Sequence, residues 1–230
     1  DGLVVGGVLV GCSAARMLAR EGVDVVLIES GVLNGAASGA NAGSIHLQIP
    51  YTDYCALGEG WASGFAPALS MMLDSVALWQ SLGRSIGEAC AVTLKGGLLV
   101  AETPEQMARL ERKAALERAH GVEVEVIGRN ALRDLAPYVS DTMIGAAWCA
   151  GEGKGNPLHA GPAIAAAARA AGARVMEGVR LHGLSRSGVW QAQTSAGPIR
   201  AGCVVNAAGA AAGDVAAMVG RDVEVSAVPI

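Results

Sequence analysis

The amino-terminal hydrophobic pattern predicts a strand, a glycine turn, a helix and a second strand. Residues 3–5 form a short apolar run that ends in a glycine pair, and residues 10–20 then carry apolar side chains at helical spacing. Gly22 is placed to end that helix. Residues 23–28 are a β-branched run of the kind found in buried parallel strands. The pattern therefore predicts the first strand, helix and strand of a parallel sheet.

Further along the chain, helical and strand patterns alternate. The predicted helices span residues 66–83, 104–120, 157–171 and 211–219, and the predicted strands span 92–101, 143–149 and 203–206. Thr103 and Asn156 are expected as N-caps because each precedes a proline at the first helical position. Turn signals within 173–205 predict short strands in a small antiparallel meander. We therefore expect an α/β chain with an open, largely parallel sheet.

Composition narrows the classes of function. Glycine is abundant, with 32 residues in 230, whereas the aromatic residues are four Trp, three Tyr and one Phe. With a formal charge of −4 as well, the chain lacks the basic surface and the stacking platform of a nucleic-acid binder. Five widely spaced cysteines indicate neither a disulfide framework nor a zinc site, and no stretch reaches the ~20 apolar residues of a membrane span. These features favour a reducing compartment and a cytoplasmic protein.

The segment from Gly6 to Glu29 has the arrangement that binds dinucleotides. A glycine turn leads from a strand into a helix, whose free N–H groups and positive dipole end suit a pyrophosphate. Glu29 lies 23 residues after Gly6, at the end of the second strand, where an acid accepts hydrogen bonds from ribose hydroxyls. Written as G-x-G-x-x-G, the motif falls on Gly6, Val8 and Gly11. The Val8 side chain should obstruct a diphosphate at a cost of roughly 1–3 kcal/mol.

A plain strand-helix-strand unit would need the same glycines only for the turn and for helix packing. Two further features favour a cofactor. The loop 35–44 offers small side chains and free amides, and it belongs to a connection whose length favours a functional role. Near the end of the chain, Ala208-Gly209 again places a glycine directly after a predicted strand. Three glycine-rich strand ends would then meet at one edge of a parallel sheet, where ligands of such sheets bind.

Four segments, in this order, resemble the FAD-dependent D-amino-acid oxidase superfamily, which includes glycine and sarcosine oxidases. They are LVVGGVLVGCSAARMLAREGVDVVLIES, GAASGANAGSIHLQ, GNPLHAGPAIAAAARAAGARV and VVNAAGAAAGDVAAMVG. The second segment is most similar to the FAD subunits of opine and amino-acid dehydrogenases. The resemblance corresponds to the N-terminal part of the full-length pattern. It implies a Rossmann-like FAD-binding domain with an inserted antiparallel meander and part of a substrate-binding α+β domain.

The resemblance implies FAD as the cofactor and assigns residues to it. Glu29 and Ser30 would hold the adenosine ribose, and the backbone of Val179 would meet adenine. Val8 departs from the family's glycine, and Ala211 stands where tryptophan is frequent. The residues implied to bind FAD are Gly6, Val8, Leu9, Val10, Gly11, Glu29, Ser30, Ala37, Ser38, Ala42, Gly43, Ser44, Val179, Ala208 and Gly209.

Other polar or reactive side chains have two interpretations each. His46 and Gln48 would lie near the flavin ring as polar neighbours, or His46 would attach the flavin covalently; an ordinary hydrogen-bonded loop histidine is the other interpretation. Cys12, beside a helix N-terminus, has either a lowered thiol pKa or a buried packing role. The charged helix at 105–118 is expected to be a solvated face. No histidine pair has metal-ligand spacing, so we expect no metal.

The leading hypothesis is an FAD-dependent oxidoreductase that takes a hydride equivalent from an amino acid or secondary amine, leaving an imine that hydrolyses. Its partners would be that small-molecule substrate and, if a protein accepts the electrons, a partner subunit. The alternative, motivated by Val8, is a degenerate or truncated non-catalytic flavoprotein subunit; the loop 35–44 disfavours an NAD-dependent dehydrogenase. The expected domains are 1–83 (first FAD-binding half), 84–150 (partial substrate domain), 151–220 (second FAD-binding half with the meander) and 221–230 (start of a truncated substrate domain).

Overall fold

The structure is a computed structural model that describes residues 1–225 and divides into two units. The first unit comprises Asp1–Ala42, Glu88–Cys90 and the chain from Asn156 onwards, and the second comprises Gly43–Gly87 and Ala91–Gly155. The functional domains expected from the sequence remain a prediction, and residues 226–230 of the last one lie outside the described residues.

The described residues form seven α-helices and thirteen strands. The helices are α1 (Leu9–Arg20), α2 (Tyr51–Phe65), α3 (Ala68–Ile86), α4 (Pro104–Ala119), α5 (Arg129–Leu135), α6 (Pro157–Ala170) and α7 (Ala212–Ala217). The strands are β1 (Gly2–Val5), β2 (Val25–Ile28), β3 (Ser44–Ile45), β4 (Val92–Leu94), β5 (Gly97–Ala101), β6 (Val124–Gly128), β7 (Gly145–Cys149), β8 (Gly153–Gly155), β9 (Arg174–Met176), β10 (Leu181–Ser187), β11 (Val189–Thr194), β12 (Gly197–Ala201) and β13 (Cys203–Asn206). Within residues 1–225, none of these helices combines the length and hydropathy that a membrane crossing requires.

The first unit is built on a parallel sheet with the strand order β13-β1-β2-β9. Val5, at the end of β1, lies opposite Asn206 of β13 and Ile28 of β2. Leu3 and Ile28 are buried, as expected of parallel strands covered on both faces. The predicted α/β class and the parallel pairing of the first and last predicted strands are confirmed.

An antiparallel meander and small-residue helices complete the first unit. The meander consists of β10, β11 and β12, and its Leu184 and Ala192 share a core with Leu3 of the parallel sheet. Helices α1 and α6 pack together and bury small side chains such as Ala15 and Ala168, which allow helices to approach closely. The predicted meander is confirmed, although β9, within the same predicted range, belongs to the parallel sheet.

The second unit contains two three-stranded antiparallel sheets, β3-β8-β4 and β5-β7-β6. The single strand predicted over 92–101 is wrong, because the chain turns at Gly96 and enters a different sheet. Gly96 has a φ of 89°, and a Cβ there would lie 2.3 Å from the indole nitrogen of Trp148. Helix α2 was not predicted; Gly58, with a φ of 80°, interrupts its regular backbone.

Both predicted N-caps are confirmed. The Thr103 hydroxyl accepts the Gln106 N–H at 3.2 Å, and the Gln106 side chain accepts the Thr103 N–H at 3.2 Å, which completes a capping box at the start of α4. The Asn156 side chain accepts the Leu158 N–H at 3.0 Å at the start of α6.

The expectation of a solvated charged helix is wrong for one face of α4. Leu110, Lys113 and Glu117 recur at helical spacing and are buried, so this face belongs to the core of the second unit. The Lys113 ammonium pairs with the Glu117 carboxylate, which also accepts the Ile49 N–H at 2.6 Å. Burial lowers the pKa of Lys113 and raises the pKa of Glu117, and the pairing opposes both effects. Each charge therefore depends on the other.

The losses from removing the two charges should not add. We expect Lys113→Met or Glu117→Gln alone to lower the free energy of unfolding by about 3–5 kcal/mol, because each leaves a buried charge without its partner. The double variant should lose less than the sum of the two single losses. Urea unfolding followed by circular dichroism measures all three proteins. Strictly additive losses would contradict the coupling.

Candidate cofactor site

Three strand ends meet at one edge of the parallel sheet. Because β13, β1 and β2 are parallel neighbours, their carboxyl ends lie side by side. A Cβ on Gly6, just after β1, would lie only 2.3 Å from the Ala207 carbonyl oxygen, just after β13. On the other side, the Asn34 N–H donates to the Gly7 carbonyl oxygen at 3.0 Å. The predicted convergence of the glycine-rich segments is confirmed.

The turn from β1 into α1 has room only for glycine at two positions. Gly6 has a φ of 113°, in the region that favours glycine. Gly11 packs so closely over the turn that a Cβ there would lie 1.9 Å from the Gly6 carbonyl oxygen. These two glycines fix the first and last positions of the predicted motif.

The N-terminus of α1 is left open by the protein. Val8 is its N-cap residue, no side chain of the described residues caps it, and its first turn contains no acidic residue. Helices α4 and α6 carry side-chain caps, whereas α2, α3, α5 and α7 lack one, as α1 does. The open end, with Leu9 and Val10 in the first turn, has the free N–H groups and positive dipole end that attract a phosphate.

Glu29 is held at the end of β2 by backbone amides of the site. One carboxylate oxygen accepts the Gly7 N–H at 2.7 Å, and the other accepts the Gly31 N–H at 2.7 Å and the Ser30 hydroxyl at 3.2 Å. A Cβ on Gly7 would lie 2.6 Å from the Cβ of Glu29. Gly7, which the motif reading treated as a variable position, therefore makes room for the acid and orients it.

Val179 and Glu29 are brought together. The Val179 N–H donates to the Glu29 carbonyl oxygen at 2.8 Å, and the preceding Gly178 N–H donates to the Gly31 carbonyl oxygen at 2.9 Å. The two residues implied to lie at the adenosine end of FAD are thus neighbours in the first unit. Their contacts with the cofactor remain a prediction.

Asn34 is a residue of the site that sequence reasoning missed. It is buried, has a φ of 59°, and donates its side-chain N–H to the Pro157 carbonyl oxygen at 2.8 Å, while its side-chain oxygen has no partner within residues 1–225. A Cβ on Gly39 would lie 2.1 Å from the Asn34 carbonyl oxygen, and one on Gly161 would lie 2.4 Å from its side-chain oxygen. Asn34 therefore joins the glycine turn, the loop after β2 and the start of α6. Its position just before the loop, in Asn-Gly, was the available signal.

The loop after β2 is compact and exposed. Ala37 and Ser38 begin a short 3₁₀ helix, and the Asn41 side chain donates to their carbonyl oxygens at 3.1 and 2.7 Å. Ala42 ends the first-unit part of this loop.

At the end of β13, the Ala208 N–H donates to the Asn206 side chain at 3.3 Å, and Gly209 has a φ of 57°.

Four predicted site residues belong to the second unit: Gly43, Ser44, His46 and Gln48. His46 is exposed, with its Nδ1 3.8 Å from a carboxylate oxygen of the buried Glu152. Gln48 is buried, and its side chain is used inside the protein, since it donates to Glu152 at 3.3 Å and accepts from Lys113 at 3.4 Å. Their placement beside a flavin ring remains a prediction.

Cys12 has the packing role rather than a reactive one. It is buried in α1, and burial raises the pKa of its thiol to about 11.

No group of His, Cys, Asp and Glu side chains within residues 1–225 is arranged to hold a metal ion.

The profile of the DAO family, described as FAD dependent oxidoreductase, matches residues 1–230. The chain belongs to this family. It is 27% identical over 227 residues to mitochondrial dimethylglycine dehydrogenase from Rattus norvegicus, covering 96% of this chain and 24% of that protein. It is 27% identical over 231 residues to glycine oxidase from Geobacillus kaustophilus, covering 98% of this chain and 58% of that protein. The crystal structure of glycine oxidase from Geobacillus kaustophilus superposes with a TM-score of 0.82 at 25% identity, covering 95% of this chain and 57% of that chain.

The chain spans less than two thirds of the length of each of these relatives. Membership of the family assigns FAD as the cofactor. The first unit fits a dinucleotide in three respects: an open helix N-terminus, an oriented acid at the next strand end, and a turn built from glycine. Val8, at the motif position where glycine is expected, is the N-cap residue of α1.

Replacing Gly11 tests whether the turn has room for a side chain. Gly11→Ala should push the turn apart, lower the free energy of unfolding by roughly 1–3 kcal/mol and reduce FAD retention. Gly183→Ala is the matched control in the same unit, because its nearest neighbouring atom would be 4.0 Å away. Thermal unfolding and the flavin absorbance of the purified proteins are the measurements. A Gly11→Ala protein as stable as the control would contradict the steric constraint.

Proposed function

We propose that the protein is an FAD-dependent oxidoreductase that oxidises the C–N bond of an amino acid or secondary amine. The observation that carries this proposal is the meeting of three glycine-rich strand ends at the open N-terminus of α1, in a chain of the DAO family. Two relatives, glycine oxidase and dimethylglycine dehydrogenase, are named for amino-acid substrates, which supports an amino-acid substrate for this protein.

In this proposal the first unit holds the cofactor through its backbone. The first-turn N–H groups of α1, among them those of Leu9 and Val10, would donate to the diphosphate. Glu29 would accept ribose hydroxyls; its carboxylate is already oriented by two backbone N–H groups, and each carboxylate oxygen can accept more than one hydrogen bond. The Ala37, Ser38 and Ala42 loop would enclose the cofactor further along its length.

Held in this site, FAD would supply a two-electron oxidant. The substrate would lose a hydride equivalent from the carbon next to nitrogen and a proton from the nitrogen, and water would hydrolyse the resulting imine. The protein's part is to bind, orient and exclude water. No side chain of the described residues needs to carry electrons for this chemistry, so the proposal assigns no catalytic residue.

Uptake of FAD tests the proposal directly. We expect the purified protein to show flavin absorption bands in the visible range, or to acquire them after incubation with FAD and removal of the free cofactor. A protein that neither carries FAD nor retains it after incubation would overturn the assignment. Without oxygen, adding glycine or dimethylglycine should bleach the flavin bands of an active enzyme, whereas a non-catalytic flavoprotein would keep these bands unchanged.

Val8 favours the second candidate, a flavoprotein that binds FAD weakly and has lost activity. Its backbone, at φ −105° and ψ −169°, is extended and does not require glycine, so Val8→Gly should leave the fold intact. Removing the side chain should tighten FAD binding by about 5- to 150-fold, equivalent to the roughly 1–3 kcal/mol assigned to obstruction. Titration of FAD fluorescence measures the affinity, with Met17→Ala on the exposed side of α1 as the control. Equal affinities in wild type and Val8→Gly would refute the steric argument.

A further inference from the structure

Helix α3 has apolar side chains on its outer face as well as on its inner face. On the inner face, Leu69 is buried, and Met72 and Val76 pack against the core of the second unit. On the outer face, the large apolar side chains of Met71 and Leu78 are 73% and 61% exposed. The unit therefore buries only one of the two apolar surfaces of this helix.

The charge content of α3 is low for a helix with an exposed face. Only Asp74 and Arg84 are charged among its 19 residues, whereas α4 of the same unit has seven charged residues among 16. Both Asp74 and Arg84 are exposed, and neither has an ion-pair partner within residues 1–225. The outer face of α3 thus lacks most of the charge that normally covers a solvent-facing helix surface.

Four exposed residues of α3 have a spacing that is the same in both directions. Asp74, Ala77, Ser81 and Arg84 are separated by three, four and three residues, so they lie in one row along the helix. The two inner residues of the row are small, and the two outer residues have opposite charges. If a second helix with the same row is turned end for end, each charge lies opposite its counter-charge and each small residue lies opposite a small residue.

We propose that α3 docks antiparallel against α3 of a second copy of this chain, in a dimer with two-fold symmetry. Asp74 of each copy would pair with the partner's Arg84, as a self-complementary interface requires. Ala77 would face the partner's Ser81, and these small side chains would let the helices approach closely. Leu78 lies beside the midpoint of the row, so it would meet the same residue of the other copy across the symmetry axis.

The apolar residues and the charges would have different roles in this interface. Burial of Leu78 and Met71 would remove apolar surface from water and favour association. Exposed ion pairs contribute little affinity, but they determine orientation and disfavour incorrect pairings. A parallel pairing in register would place Asp74 beside Asp74 and Arg84 beside Arg84, so the charges select the antiparallel arrangement.

Charge reversal provides a test in which two defective proteins should restore each other. Asp74→Arg and Arg84→Asp each place like charges together at both ends of the row. We expect the wild type to form a dimer in analytical ultracentrifugation, and each single variant to raise the dissociation constant at least about tenfold. An equimolar mixture of the two variants should recover the dimer, because every pair then joins opposite charges. The double variant Asp74→Arg/Arg84→Asp should recover it for the same reason.

Matched variants control for charge and for hydrophobicity. Glu111→Arg reverses an exposed charge on α4 and should leave the dissociation constant unchanged. Leu78→Ser should weaken the dimer, whereas Leu57→Ser, which replaces a leucine of α2 that is 59% exposed, should not. Circular dichroism of every variant establishes that the fold is retained.

The possible outcomes separate this interface from other modes of association. A wild type that stays monomeric over the whole concentration range would overturn the proposal. A dimer that the α3 variants do not weaken would use another surface and would also overturn it, as would a mixture of the two single variants that remains monomeric. The measurement needs neither bound FAD nor turnover, so its result is independent of the proposed function.

Discussion

At Gly6 and Gly11 the turn from β1 into α1 has no room for a side chain, and the first unit depends on this constraint. The Gly6 carbonyl oxygen lies where a Cβ of Gly11 would be, and the Ala207 carbonyl oxygen lies where a Cβ of Gly6 would be. Backbone packed this closely lets β13 and β1 end together and leaves the helix N-terminus facing the same edge. Gly7 extends the constraint, because its missing side chain admits the carboxylate of Glu29.

The second unit positions residues 47–49 by hydrogen bonds to buried side chains, whereas the first unit relies on close contacts between backbone atoms. Three consecutive N–H groups, those of residues 47–49, donate to the carboxylates of Glu152 and Glu117. Lys113 compensates this buried negative charge by pairing with Glu117 and donating to Gln48. Because buried charges are costly unless paired and hydrogen-bonded, the segment can hardly move without disrupting the core.

The sequence predicted those parts of the fold that follow from local rules. Glycine turns, apolar periodicity and the Thr103 and Asn156 caps depend on neighbouring residues. Both caps were found where expected, whereas the apolar pattern over 92–101 proved to be two strands of different sheets. Helix α2 was missed because its glycines weaken the helical pattern. The buried Lys113 was missed because a charged residue at helical spacing usually indicates a solvated face, and only tertiary structure reveals a partner. The motif located Gly6 and Gly11. The Asn-Gly pair marks Asn34 only as a turn residue, because its side-chain hydrogen bond joins segments distant in sequence.

Val8 separates what the fold requires from what the cofactor requires. Gly6 and Gly11 are dictated by backbone contacts within the protein, so their role exists whether or not a ligand binds. The backbone of Val8 is extended, in a conformation open to any residue, and its carbonyl oxygen accepts the first helical hydrogen bond from Cys12 at 2.9 Å. A side chain at this position therefore leaves the turn, the helix and the sheet edge intact. Its effect falls on the space in front of the helix N-terminus, so stability and cofactor affinity can change independently at this one residue.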